Sequence, residues 1–201
     1  MVAREDEGTP VVKPFAKEAA TLISPEMNAA LNEQIGREFG ASLQYVQIAS
    51  YFDSEGLPEL ARYFYRQAEE ERGHAMRLVR YIVDANGQVR VPAVPAPRQE
   101  FASVEEAVGL SLEHELRVTD QINNLMDLAI QQNDHITRNF LEWFVREQLE
   151  EVASMDTLLR MVRRAGEPGL LWIENYLARR GHGALAEPEE APAGEEAEAG
   201  E

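Results

Sequence analysis

In the run Glu70-Glu71-Arg72-Gly73-His74, Glu71 and His74 stand three apart. On a helix that spacing places a carboxylate and an imidazole on one face, where they can grip a single metal ion together. Alternating steps of four and three through this stretch give Leu60, Phe64, Gln67, Glu71, His74, Leu78 and Tyr81. That pattern is the inward seam of a helix in a bundle. Both ligating groups therefore aim at the core, where an ionised carboxylate is costly unless paired or metal-bound.

Three other stretches repeat the anomaly. Leu31, Ile35, Glu38, Ser42, Tyr45, Ala49 and Phe52 form one seam, with Glu38 inside it. Val104, Val108, Ser111, Glu115, Val118, Ile122 and Leu125 form another around Glu115, and Phe140, Phe144, Glu147, Glu151, Ser154 and Leu158 carry two acids. These seams contain no Lys or Arg. Glu38, Glu71, Glu115 and Glu151 would repel one another in a shared core without cations. A purely structural or partner-binding bundle would need them protonated. The chain has no cysteine, so a metal would meet only oxygen and nitrogen ligands.

The elements that position these residues are four long helices. Ser24-Pro25 opens the first, which Gly56 ends near Ser54. Leu57-Pro58 opens the second, to about Ala85, antiparallel to the first because the turn is so short. Residues 86–102 carry Pro92, Pro95 and Pro97 and favour extended chain. About fifteen extended residues span roughly 50 Å, and the second helix is roughly 42 Å long. This segment can therefore cross back along the bundle and set the third helix parallel to the second. Ser103-Val104-Glu105-Glu106 is a capping box for that helix, which lasts to about Gln132. Asp134 caps the fourth, closed by Arg163, Arg164 and Gly166. A short fifth helix, Leu170 to Arg180, follows Pro168-Gly169 and is free to leave the bundle and pack on symmetry mates. The expected organisation is a mobile N-terminal extension over 1–23, one all-α domain over 24–180, and a disordered acidic tail over 181–201.

Composition narrows the function classes. A formal net charge of -17 argues against nucleic acid or an anionic membrane as partner. Removing the Glu-rich tail still leaves an acidic body, which suits attracting cations. Met1 to Gly8 lacks the apolar region of a signal peptide, and no run approaches a membrane span, so a cytoplasmic location is expected.

Leu31-Asn32-Glu33-Gln34, Glu38 with Tyr45, the Glu70–His74 run, His114-Glu115 and Trp143–Glu151 resemble the non-haem bacterial ferritins across residues 25–180. That resemblance implies a ferritin-like four-helix bundle with one long crossover. Glu38, Glu71 and His74 would hold the first iron of a ferroxidase centre. Glu71 would bridge to a second iron completed by Glu115 and Glu151, with Gln148 beside it. Glu70, Glu147, Glu150 and Glu151 resemble a third iron site, and Tyr45 matches a tyrosine next to the diiron pair. The implied reaction is oxidation of Fe(II) by oxygen, with storage as a ferric mineral inside a homo-oligomeric shell of 24 subunits. Phe39, Leu43 and Val46, off the first seam, would supply a dimer face. The fourth helix lacks a second Glu-x-x-His motif, and Arg72 stands where bacterioferritins carry a haem-ligating Met, so no haem is expected. A small diiron oxidase without mineral storage is the alternative.

Overall fold

A computed structural model describes residues 20–180. The expected tail over 181–201 and most of the N-terminal extension lie outside them. Four long helices, α1 (Pro25–Ser54), α2 (Pro58–Asp84), α3 (Val104–Gln131) and α4 (His135–Ala165), are followed by a 3-10 turn (Glu167–Gly169) and α5 (Leu170–Arg180). The ends follow local chemistry. Ser24 Oγ accepts from the Met27 N–H at 3.0 Å, and Asp134 Oδ1 accepts from the Thr137 N–H at 2.9 Å. Gly56 ends α1 in the left-handed region, at φ 74°. At α3 the box is modified: Ser103 caps Glu106, but the Glu106 carboxylate reaches the Ala102 N–H, at 2.6 Å, one residue further back.

The apolar core falls into two clusters. One gathers Tyr45, Phe52, Phe64, Val108, Leu158 and Ile173; the other gathers Leu31, Ile35, Leu78, Ile122, Leu141 and Phe144. Burying side chains of this size stabilises by about 1.5–3 kcal/mol each. Between the clusters runs a belt of buried polar residues: Glu38, Gln67, Glu71, His74, Ser111, Glu115, Gln148, Glu151 and Ser154. The seam expected for α4 holds at Phe144, Glu151, Ser154 and Leu158 and differs at two positions. Thr137, Leu141, Phe144, Gln148 and Glu151 are buried, whereas Phe140 and Glu147 sit half-buried at its edge. In that turn Gln148 is buried, and Glu147 stands at the edge of the seam.

Residues 86–102 are extended as expected, and α1 holds them through one ridge of residues four apart: Asn28, Asn32, Gly36, Gly40 and Gln44. Asn28 and Asn32 donate to the Gln88 carbonyl at 3.0 and 2.9 Å and accept from the Gln88 and Arg90 N–H groups. Gln44 makes the same two-way contact with the Arg98 backbone, at 3.1 and 2.8 Å. The amides thus satisfy backbone groups that no neighbouring strand pairs. Between them the chain comes close. A Cβ on Gly36 would lie 2.3 Å from Pro92 Cγ.

The expectation that α5 leaves the bundle is corrected. Ile173, Glu174 and Leu177 are buried. Glu174 accepts from the backbone N–H groups of Glu59 and Leu60 at 2.8 and 2.9 Å. The N-cap of α2, Leu57, offers no side-chain bond, so the carboxylate of α5 satisfies its free donors and faces the positive end of its dipole. Leu171 and Trp172 stay 69% and 61% exposed on the opposite face.

Candidate metal centre

Each of the four long helices sends acid into the belt, and the periodicity of the seams is the reason. On α1 and α2, Glu38, Glu71 and His74 each place one ligand atom within 4.8 Å of the other two. Among the described residues, no other trio of His, Asp or Glu does so. All three are buried, and the oxygens Glu38 Oε2 and Glu71 Oε1 have no hydrogen-bond partner. Their other oxygens are engaged: Glu38 Oε1 accepts from Gln34 Nε2 at 2.8 Å, and Glu71 Oε2 lies 3.3 Å from His74 Nδ1. Two carboxylates, each with one bare oxygen, gathered with an imidazole in a buried site form a donor set that a divalent cation fits.

On α3 and α4 the acids are held differently. The Tyr45 hydroxyl donates to Glu115 Oε1, and Gln148 Nε2 lies 3.3 Å from Oε2. Gln67 Nε2 donates to both oxygens of Glu151, at 3.1 and 3.0 Å. Glu147 Oε1 stands 3.8 Å from His74 Nε2, with its side chain 28% exposed, so it backs the imidazole from the far side. Glu70 and Glu150 lie on the surface. The four expected third-site residues, Glu70, Glu147, Glu150 and Glu151, do not converge as the α1–α2 trio does.

Burial drives the electrostatics. It raises the pKa of Glu71 well above the ordinary carboxylate range, and Glu115 adds repulsion while His74 opposes it. Burial likewise lifts Glu115 to about 7, against hydrogen bonds from Tyr45 and Gln148. Glu151 is lifted to about 8 by burial and by Glu115 and Glu70, against His74 and Gln67. Burial pulls His74 down, yet its contacts with Glu147 and Glu71 outweigh this and push it up to about 11. Tyr45 is held protonated by burial and by Glu115, and so remains a donor. These groups keep protons in place of cations, and a metal entering the belt would displace them.

Ring contacts enclose the site. His74 meets Trp143 edge-on at 5.4 Å, and the Arg77 guanidinium lies 4.0 Å from the centre of the Trp143 ring. His114, beside Glu115 and outside the third seam, is half-buried against the Tyr45 ring at 6.0 Å. Burial and Arg117 lower it to about 4, so it is neutral. Sequence reasoning gave no part in the site to Gln34 and Gln67. Gln34 stands four residues before Glu38, to which it donates, and that spacing is the signal that would have found it; Gln67 bonds Glu151 on another helix, which no spacing shows.

Known proteins resemble this chain over most of its length. The family model described as "Ferritin-like domain" matches residues 28–165. Ferritin BfrB of Mycobacterium tuberculosis is 47% identical over 154 residues, covering 77% of this chain and 84% of that protein. The bacterial non-heme ferritin of Staphylococcus aureus is 36% identical over 146 residues, covering 73% and 88%. Among solved structures, an open-pore ferritin from the archaeon Archaeoglobus fulgidus superposes with a TM-score of 0.77 at 37% identity, covering 81% of this chain and all of that one.

Proposed function

The chain belongs to the ferritin-like domain family, and from that premise we propose that it is an iron-storage ferritin that oxidises Fe(II) with oxygen inside each subunit. The observation that carries this is the buried Glu38–Glu71–His74 cluster with its two unpartnered carboxylate oxygens. As substrate, one ferrous ion is held by these three residues. A second is held by Glu71, Glu115 and Glu151, with Gln148 beside it. Glu71 has an oxygen for each and so ties the ions together. Each ion gives up one electron, and the pair delivers two to one dioxygen, which takes up two protons and leaves as hydrogen peroxide. Entry of the ions displaces the protons that burial keeps on Glu71, Glu115 and Glu151. Tyr45 holds Glu115 in place and stands next to the reacting pair.

By resemblance alone, Glu70, Glu147, Glu150 and Glu151 would hold a third iron that influences later turnover, drawn together only when the ion binds. Ferric product then passes to a mineral inside a shell of 24 subunits. Exposed Leu43 and Val46 on α1, and Leu171 and Trp172 on α5, are apolar surface that such a shell would cover. No haem has a part in this reading: Arg72 offers no axial sulfur where a haem-ligating Met would stand. Among the described residues no helix is long and apolar enough to cross a membrane.

The test adds excess ferrous iron to the protein in air. Wild type should hold far more iron than its ligands can bind, as an electron-dense core, with fast initial oxidation that Glu71→Ala abolishes. Uptake that stops at about three irons per chain would leave a diiron oxidase without storage. Equal initial rates in wild type and Glu71→Ala would sink the centre itself.

A further inference from the structure

Three buried polar residues line α2, and only Gln67 lies outside the ligand set proposed above. It is 4% exposed, and its amide nitrogen meets both oxygens of Glu151, which is 84 residues away on α4. No other hydrogen bond within the belt joins α2 to Glu151. Gln67 sits one turn before Glu71, so a single rigid helix carries both the carboxylate shared by the two ions and the group that aims the far ligand. A neutral amide suits this place. It donates to a carboxylate without adding charge or competing for the metal, whereas a Lys or Arg here would cancel the negative charge that draws cations.

We propose that Gln67 is the positioning residue of the second ion: it holds Glu151 at the spacing from Glu71 that the second ion requires, and supplies no ligand itself. This rests on the two-ion reading given under Proposed function. Its consequence is selective. The first ion meets Glu38, Glu71 and His74, none of which Gln67 touches in any hydrogen bond of the belt. Groups that orient a metal ligand change affinity by about 10–100-fold when removed.

The experiment is an anaerobic titration of the full chain with Co(II), followed by ligand-field absorption, in wild type and Gln67→Met. Methionine keeps the length and apolar stem of glutamine and lacks the donor. Wild type should bind in two steps per chain. Gln67→Met should keep the first step within about 2-fold and weaken the second by about 10-fold or more. An unchanged second step overturns the proposal. So does equal weakening of both steps, which would mark Gln67 as a packing residue only. Gln67→Leu repeats the test with a different shape should Gln67→Met not fold. A wild type that binds no pair of ions overturns the two-ion reading itself, and is recognised before any variant is compared.

Discussion

The two halves of the polar belt are built from the same kinds of residue and yet stand in different states. On α1 and α2, Glu38 and Glu71 each keep one oxygen without a partner. On α3 and α4, every carboxylate oxygen of Glu115 and Glu151 accepts a hydrogen bond, from Tyr45, Gln148 or Gln67. An unsatisfied buried acceptor costs about 1–3 kcal/mol. The α1–α2 half carries that cost as a site open to a cation, and the α3–α4 half is held by neutral donors. Burial raises Glu71 in one half and Glu115 and Glu151 in the other, so the difference lies in hydrogen bonding rather than in exposure.

The largest expected effect breaks the open half. Glu38→Ala should weaken the tighter metal-binding step by on the order of 100-fold, the upper range even for a group that only supports a ligand. Glu151→Ala should leave that step in place and remove the second. Stepwise Co(II) titration of both variants checks this, and equal losses in the two would erase the distinction between halves.

A pH series addresses both halves at once. Glu115 near 7 and Glu151 near 8 lie above the ~4.3 of an unfolded glutamate, and Glu71 is raised in the same direction. The folded, metal-free state thus holds protons that the unfolded state releases. That contribution is full below about pH 4.3 and is lost as pH rises through about 7 to 8. His74, raised to about 11 from about 6.5, adds loss of the same sign at higher pH. The melting temperature of metal-free protein should therefore fall between about pH 5 and pH 8, and added divalent metal should recover more at the upper end. A metal-free melting temperature that rises over this range would contradict the assignment of these groups as buried.

Tyr45→Phe takes one donor from the held half alone. The second step should weaken by roughly 10-fold while the first is unchanged. A shift in the first step instead would place Tyr45 with the open half. The smallest effect on the comparison is expected from Gly36→Ala, on the outer face of α1. Its new Cβ would meet Pro92 at 2.3 Å, so denaturant unfolding should show a loss of about 1–3 kcal/mol. The ratio of the two binding steps should not move, because the ridge that holds the crossover is separate from the seam that carries Glu38.

The two faces of α1 show how much was legible beforehand. Its inner seam was readable from Leu31 to Phe52 because polar and apolar residues alternate there with helical period. Its outer ridge, Asn28 to Gln44, has a period just as regular. It went unread because amides and glycines give no hydrophobic signal, and their partner is an extended segment without a period of its own. On α4 the period marks the buried Phe144, Glu151, Ser154 and Leu158 correctly, and only packing shows that Phe140 and Glu147 stay at the edge while Gln148 is buried.

Residue order alone determined the helix ends, the four acids aimed at one core, and the oxygen and nitrogen chemistry open to them. These follow from caps, breakers and a 3.6-residue repeat, all of which act over a few neighbours. Tertiary structure decided which carboxylate oxygens are bare and which are held. It also seated Glu147 behind His74, turned α5 back so that Glu174 caps α2, and joined Gln67 to Glu151. Each of these depends on the rotation and approach of helices far apart in the chain, and a hydrogen bond changes with tenths of an ångström that no local pattern encodes.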